Sequence, residues 1–566
     1  MELSEKEKDE VVKKANEYIE QESEALFRNE VINALDEQAF DELYDRFYTS
    51  LSFGTAGMRG VIGGGSNRIN PLMIRKVTQG LADYLNESFE NPVMAIAFDS
   101  RNYSELFARQ AALTLCANNI KVYLYQKIRP VPLLSFALKH LKANAGIVIT
   151  ASHNPAKYNG YKVYWDHGGQ VTEPHDNNIV EAVNKVDPTK IKSMDYAEAL
   201  EKKLLVIIGK ETDEHYYDMV LNSLNTKLFE KNSVTVAYTP LHGSGNKPVR
   251  TLLDKLGVEC KVVENQELPD GNFPTVSMPN PEDPQAMRLA IELAINNGSD
   301  IVLGTDPDAD RLGIAIPTDQ TKTEYQLLNG NQIAVLLVDY LLQKDDKANQ
   351  AVVVKSIVTT DLVKAISEKH KATSIDVLTG FKYIAQEIER LETSKDQHFL
   401  FGCEESYGYL FLPYLGDKDA VSAALLSVEM LIYYNKMGKT IQQRLEEIYT
   451  EFGIYSEKVL SYTYEGASGQ QKMASIMASF REKQVGSTFA DLKIKNKIDL
   501  LNDKGTGLPP SDVIILEFES DEKLIIRPSG TEPKIKYYLF FKTPYSEKGE
   551  LDKKLDEKVS RIKSEL

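Results

Sequence analysis

Between about residues 71 and 445, short apolar runs alternate with longer stretches of helical period, and this alternation limits the fold more than any other feature. Strands interleaved with helices pack as α/β layers, because each apolar strand face must be covered by a helix. The first unit reads as a helix over Leu72–Glu87, a strand over Val93–Phe98 ending in Asp99-Ser100-Arg101, a helix over Ser104–Ala117, and strands over Lys121–Tyr125 and Ala145–Ile149. A second unit comes next with strands Val234–Tyr238, Cys260–Val263 and Asp300–Gly304, helices Pro248–Leu256 and Pro284–Asn296, and an irregular proline-rich segment at 269–284. A third has strands Val352–Lys355 and Phe399–Phe401, a helix over Asp361–Lys369, another opened by Thr379-Gly380-Phe381-Lys382, and a long helix after Asp417-Lys418-Asp419.

The flanks differ. Residues 1–50 read as amphipathic helices carried by Val11, Val12, Ala15 and Ile19 and then by Val31, Ile32 and Leu35. Beyond 446 come a linking helix, strands near Val513–Phe518, Leu524–Ile526 and Ile535–Phe541, and a charged terminal helix. The expected division is 1–210, 211–325, 326–445 and 446–566: three similar α/β/α domains and a smaller α+β C-terminal domain. A length of 566 residues suits about four domains of ordinary size.

Charge narrows the function. The formal net charge of −17 argues against nucleic acid or an anionic membrane as partner, since phosphate surfaces need a basic face. An anionic small substrate remains open if a few cationic side chains converge in a cleft. Cys116, Cys260 and Cys403 form neither a disulfide framework nor a CxxC pair, which fits a reducing cytosol. The charged start of the chain lacks a signal-peptide core, and Asp339 and Glu429 interrupt the longest apolar stretches, so the expected location is cytoplasmic.

Four loops carry chemistry. Thr150-Ala151-Ser152-His153-Asn154-Pro155 comes after a buried strand, so Ser152 is either a cap for the next element or a reactive hydroxyl on a stiff platform. Asp306, Asp308 and Asp310 alternate beyond another buried strand, and carboxylates at that spacing converge on one hard cation, Mg²⁺, Mn²⁺ or Ca²⁺. An EF-hand would want Gly and Glu where Arg311 and Pro317 stand, and an aspartyl-phosphatase loop would want Thr or Val in place of Asp310. Arg527-Pro528-Ser529-Gly530-Thr531 combines a guanidinium, hydroxyls and a glycine suited to phosphate, with Lys534 and Lys536 beyond. Glu404 and Ser406 suit sugar hydroxyls. Two weaker signals are the glycine-rich loop Phe53–Gly60 with Arg59, and Lys162, which a turn at Tyr158-Asn159-Gly160 and a returning strand would bring toward Ser152. A nucleophile, a cation site and phosphate-gripping arginines together are what phosphoryl transfer requires.

These loops, in this order, resemble those of the α-D-phosphohexomutase family, most closely its long bacterial phosphoglucomutases; Thr150–Pro155, Asp306–Arg311, Gly402–Gly408 and Arg527–Thr531 carry the resemblance. It implies three α/β domains and a mobile fourth around a central cleft. It also implies a phosphoserine at Ser152, one Mg²⁺ on Asp306, Asp308, Asp310 and a phosphate oxygen on Ser152, and a grip on the substrate's non-reacting phosphate by Arg527, Ser529, Gly530 and Thr531. Glu404 and Ser406 would bind sugar hydroxyls beside Thr379 and Gly380, and Arg59, His153, Lys162, Arg311 and Lys418 would line the site. The implied reaction interconverts glucose 1-phosphate and glucose 6-phosphate through glucose 1,6-bisphosphate, with Lys162 or Lys418 as general base at a lowered pKa. Phosphomannomutase or phosphopentomutase activity is the nearest alternative, and a sugar-phosphate phosphatase or a silent sugar-phosphate sensor lies further off. Cys403, where other branches carry Gly or a bulky apolar residue, is expected to bear on sugar choice.

Overall fold

A computed structural model describes residues 3–54, 57–464, 466–502, 505–529 and 534–566. Four sheets organise the chain. The first has six strands in the order Met58–Val61, Tyr158–Trp165, Ala145–Ile149, Val93–Phe98, Lys121–Tyr125, Leu205–Ile208; the last four run parallel, and Tyr158–Trp165 pairs antiparallel with both of its neighbours. Its central strands are apolar at every position because both faces are covered. Met94, Ile96 and Phe98 pack with the helices Pro71–Ser88 and Ser104–Ala117, while Ala95 and Ala97 join the cluster of the helix Val131–His140.

The second sheet runs Tyr325–Leu327, Leu312–Pro317, Ile301–Thr305, Thr235–Thr239, Glu259–Val262, and the third Thr373–Val377, Ala351–Ser356, His398–Glu404, Gly408–Leu410. The fourth, Ile454–Thr463, Lys534–Thr543, Lys523–Pro528, Ile514–Phe518, Leu492–Asp499, Thr488–Phe489, is antiparallel at each pairing, with the helices Gly466–Glu482 and Leu551–Glu565 against it. The architecture is therefore three α/β/α layers and a C-terminal antiparallel half-barrel, as the alternation implied.

One apolar cluster runs from Leu134 and Phe136 through Leu252 and Leu303 to Leu337, Val353 and Leu425, so the three α/β units share a continuous core. Their loops are thereby fixed against one another. The C-terminal sheet is attached differently, through a patch in which Ile357, Val358 and Leu378 meet Val513, Ile525, Tyr538 and Phe540. No described helix is long and apolar enough to cross a membrane.

The structure corrects the sequence reading at several places. The helix Val131–His140 was not anticipated: buried at every position from Val131 to Leu138, it has no polar face to give a helical period. Asn159 and Gly160 lie inside the strand Tyr158–Trp165 and form no turn. Gly402, Cys403 and Glu404 are the end of a strand, not a loop. Cys403 is wholly buried in the shared core, so its side chain faces no sugar. Arg59 lies on a strand, paired with Gly160, while Thr55 and Ala56 of the glycine-rich loop lie outside the described residues. All three expected domain limits cut elements: the helix Lys210–Ser223 begins at residue 210, Tyr325–Leu327 completes the second sheet, and the helix Ile441–Phe452 spans residue 445.

Candidate active site

The strand Ala145–Ile149 delivers Ser152 into a turn in which Ser152 takes φ of 51°, a left-handed backbone uncommon outside glycine. The turn is held from within. The Thr150 hydroxyl accepts the Ser152 N–H at 2.8 Å and donates to Asp99 at 2.6 Å, and Asn154 N–H donates to the Ala151 carbonyl. The next element is a strand, so Ser152 caps no helix. Its Oγ donates to Asp306 Oδ2 at 2.7 Å and lies 3.1 Å from His153 Nδ1.

Asp306 begins the turn between the strands Ile301–Thr305 and Leu312–Pro317. Backbone contacts clasp this turn from all three α/β units. Val131 N–H donates to the Asp308 carbonyl, Ser244 N–H to that of Pro307 and Ala420 N–H to that of Ala309, at 2.8–3.1 Å. Ala309 is also left-handed, with φ of 46°. The chain thus folds so that all three carboxylates are buried, with one oxygen from each within 4.8 Å of the others. Asp306 Oδ1 accepts the N–H groups of Asp310 and Arg311 at 3.1 and 3.0 Å. Asp308 Oδ1 and Asp310 Oδ1 are buried and have no hydrogen-bond partner among the described residues. Buried carboxylate oxygens without donors are costly unless a cation answers them. The donor set is all oxygen and triply anionic, which fits a hard divalent cation such as Mg²⁺.

Two lysines flank the triad. Lys162 Nζ lies 3.0 Å from Asp308 and 3.7 Å from Asp310, and Lys418 Nζ lies 3.3 Å from Asp310 and 2.9 Å from Asp417. Asp417 is in turn held by Tyr164 Oη at 2.7 Å and Gln170 at 3.1 Å. Burial would lower both lysine pKa values, but Asp308 and Asp310 around Lys162, and Asp310 and Asp417 around Lys418, outweigh it and hold both above the usual range. The lowering expected from cationic crowding is not met. Burial and the like charges of Asp308 and Asp310 push Asp306 well above the usual carboxylate range; for Asp310, Lys418, Lys162 and Arg311 overcome burial and hold it below. His153 is pushed down to about 2 by burial and by the nearby Arg311, Arg59 and Lys162 charges, so its imidazole is neutral.

Arg311 is paired with Glu282, and Arg59 reaches Asn154 Oδ1 at 3.3 Å on the exposed side of the serine turn. Glu404 ends its strand buried, close enough to Arg311 and Lys418 to affect both, and its Oε1 accepts the Gly380 N–H at 2.8 Å. Thr379 Oγ1 beside it is buried without a partner among the described residues, and Ser406 is half-buried in the next turn. Arg527 and Lys536 are register partners on the C-terminal sheet, and Ser529 N–H donates to the Lys534 carbonyl at 2.7 Å. Burial, together with the Lys534 and Arg527 charges, lowers the Lys536 pKa, and Glu405 opposes it. Gly530 and Thr531 lie outside the described residues. Ser152, His153, Lys162, the Asp triad, Arg311 and Lys418 are thus one contact group, with Glu404 and Gly380 adjoining it.

Sequence reasoning gave no role to Asp99, Asp417 or Glu282. Asp99 and Asp417 had a readable signal: each begins an Asp-containing tripeptide after an apolar segment, placed as the serine and metal loops are. Glu282 lay in the irregular proline-rich segment and had none.

Comparison with known proteins gives consistent results. Models of phosphoglucomutase/phosphomannomutase alpha/beta/alpha domains I, II and III match residues 50–190, 214–319 and 329–452. A phosphoglucomutase of Staphylococcus epidermidis is 36% identical over 531 residues, covering 90% of this chain and 96% of that protein. One from Staphylococcus aureus is 38% identical over 528 residues, covering 90% and 93%. In solved structures, the fold is shared with a phosphoglucomutase/phosphomannomutase family protein of Burkholderia thailandensis, at a TM-score of 0.68, 15% identity, and coverage of 90% of this chain and 97% of that one. It is shared too with parafusin, a phosphoglucomutase of Paramecium in an open form, at 0.67 and 17% identity, covering 87% and 91%.

Proposed function

This chain belongs to the phosphoglucomutase/phosphomannomutase family of isomerases, the α-D-phosphohexomutases, and we propose that within it the protein interconverts α-D-glucose 1-phosphate and glucose 6-phosphate. The observation that carries the chemistry is the aim of Ser152 Oγ at a buried carboxylate triad with unanswered oxygens. The choice of glucose rests on the phosphoglucomutases that are 36–38% identical across nine-tenths of the chain, and on Glu404 beside the site.

In this reading Ser152 carries a phosphoryl group in the resting enzyme and gives it to a sugar hydroxyl. The bisphosphate, glucose 1,6-bisphosphate, turns over, and Ser152 takes the other phosphate. Asp306, Asp308 and Asp310 would hold one Mg²⁺, joined by a phosphate oxygen on Ser152, and the ion supplies neutralisation of charge developing on the transferred group. Lys162 and Lys418 sit beside the triad as full cations. Each therefore serves first to hold phosphate oxygens, and the one that meets the attacking hydroxyl could take its proton only after passing one of its own ammonium protons to a phosphate oxygen or to solvent. Neutral His153 and cationic Arg59 and Arg311 flank the serine and the transferred phosphate. Arg527, Ser529, Gly530 and Thr531 would grip the other phosphate, with Glu404, Ser406, Thr379 and Gly380 around the sugar. Three free cysteines suit a reducing cytoplasm.

Two measurements test this. Initial rates with Mg²⁺ and trace glucose 1,6-bisphosphate should favour glucose 1-phosphate over mannose 1-phosphate and ribose 1-phosphate; a clear preference for either of the others overturns the substrate. Ser152→Ala should lose the added phosphate seen by intact mass, with activity falling on the order of 10⁴-fold or more. Full activity in that variant would end the phosphoserine mechanism.

A further inference from the structure

We propose that Arg101 is the positioning residue for Ser152: its guanidinium gathers the backbone carbonyls of the serine turn and thereby sets the nucleophile's aim. The inference rests on the phosphoserine reading above. Arg101 comes after the strand Val93–Phe98, next to the one that leads to Ser152, and its side chain is wholly inaccessible to solvent. Nη1 donates to the carbonyls of Pro155 and Tyr158, each at 3.0 Å, and Nη2 donates to those of Ser152 and Asn154. Four carbonyls within seven residues therefore converge on one cation.

That convergence has a conformational consequence. A left-handed backbone is strained for serine and persists only where its surroundings hold it there. The carbonyl of Ser152 itself is one of the four that Arg101 holds, so the guanidinium fixes the peptide plane whose rotation would release φ of 51°. With that plane free, Ser152 Oγ is no longer obliged to sit 2.7 Å from Asp306.

Arg101 is itself pinned from two sides. Its Nε forms an ion pair with Asp99 at 3.5 Å, and the same carboxylate takes the Thr150 hydroxyl and the Arg101 N–H. From the second α/β unit, the Phe273 ring lies 4.9 Å from the guanidinium carbon, and Asn272 bonds Asn102 at 2.9 Å. The clasp thus ties the serine turn to the unit that supplies the metal loop. Lysine cannot replace it, because three donors on a point charge do not span four carbonyls as a planar fork does.

The test is the rate at which Ser152 takes phosphate from glucose 1,6-bisphosphate in a single turnover, tracked by intact mass, alongside steady-state kcat and KM. Arg101→Lys, which keeps the charge opposite Asp99, should fold, yet phosphorylate Ser152 about 100-fold more slowly, the cost of roughly 1 Å of misplacement. Its kcat should fall in parallel and KM change less than threefold. A purely structural role would reduce the active fraction and leave the single-turnover rate constant unchanged, and that result overturns the proposal. If Arg101→Lys does not fold, Phe273→Leu decides: a slowing of about three- to tenfold with unchanged KM is expected, and a wild-type rate constant overturns it. Failure of the wild-type protein to phosphorylate Ser152 would instead sink the phosphoserine reading, so the two failures are separate.

Discussion

The third α/β unit and the metal loop each bury a cluster of lysine and carboxylate groups, and the two are built on opposite terms. In the third unit, Lys355 is fully buried, and its ammonium is answered by Asp376 at 2.9 Å, Asp361 at 3.2 Å and the Thr359 carbonyl at 3.1 Å, with Lys523 of the C-terminal sheet on the other oxygen of Asp361. Its carboxylates are partly open to water. At the metal loop the anions are the buried partners, three of them together, and two of their oxygens have no donor among the described residues. The first cluster is saturated and joins the C-terminal sheet to the third unit. The second has Lys162, Lys418 and Arg311 beside it, yet leaves Asp308 Oδ1 and Asp310 Oδ1 without a donor among the described residues, next to the carboxylate at which Ser152 points. Buried ionic groups show function by what they leave unanswered, not by being charged.

The sharpest way to break this contrast is to remove one charge from the unsaturated cluster. Asp306→Asn should lower activity about 10³-fold, the scale on which charge-stabilising groups in active sites act. The fold should be nearly indifferent in metal-free buffer, because Asp306 lies beside two like charges and an amide can still accept the Asp310 and Arg311 N–H groups. Urea unfolding without divalent cation should therefore agree with wild type within about 1 kcal/mol. A large loss of stability there would make the triad structural.

The saturated cluster should respond in the opposite sense. Replacing both Asp361 and Asp376 by Asn leaves the Lys355 ammonium buried with the Thr359 carbonyl, and the expected loss is about 4 kcal/mol of stability. The kcat of the folded fraction should be unchanged. Loss of kcat at wild-type stability would erase the distinction. Adding Mg²⁺ sharpens it from another side. At about 100 times the dissociation constant, binding to the native state should stabilise the wild type by about 2.7 kcal/mol and Asp306→Asn much less. Equal shifts in the two proteins would place the ion elsewhere.

Much of this layout was legible in the sequence, for physical reasons. Strands such as Val93–Phe98 and Ala145–Ile149 are apolar at every position because helices cover both faces, and short apolar runs stand out. The serine and metal loops were legible because they spend polar residues just beyond such strands. The helix Val131–His140 was hidden by the same completeness of burial that exposed the strands. The strand Ile454–Thr463 went unread; it is mostly exposed or half-buried and shows no clean alternation. Cys403 misled because sequence adjacency to Glu404 suggests a shared site, whereas neighbours on a strand point to opposite faces. The saturation of Lys355 and the starvation of Asp308 could not be read at all, since both depend on which distant groups the fold brings near.

Glu405 lies on the border between the clusters and gives the smallest effect. Its carboxylate accepts from Ser356 Oγ at 3.1 Å and from Oγ1 of Thr359, the residue whose carbonyl Lys355 holds, at 3.4 Å, while its neighbour Glu404 faces the candidate sugar site. Burial, then the Glu404 charge, push its pKa up to about 7 from an ordinary 4.5. A carboxyl whose folded pKa is raised favours the fold while it is protonated in both states, below about pH 4.5. As pH climbs toward 7 the unfolded chain gives up the proton first, so this contribution drains away, by no more than about 1.4 kcal/mol per pH unit. With the turn half-buried, a fall of roughly 2 kcal/mol between pH 4.5 and 7 is the expected size. Glu405→Gln keeps an acceptor and cannot ionise, so its stability, from urea midpoints across that range, should fall less steeply than the wild type's by that amount. Parallel curves would mean that Glu405 is ionised throughout and answered by Lys536, which would place it with the saturated cluster.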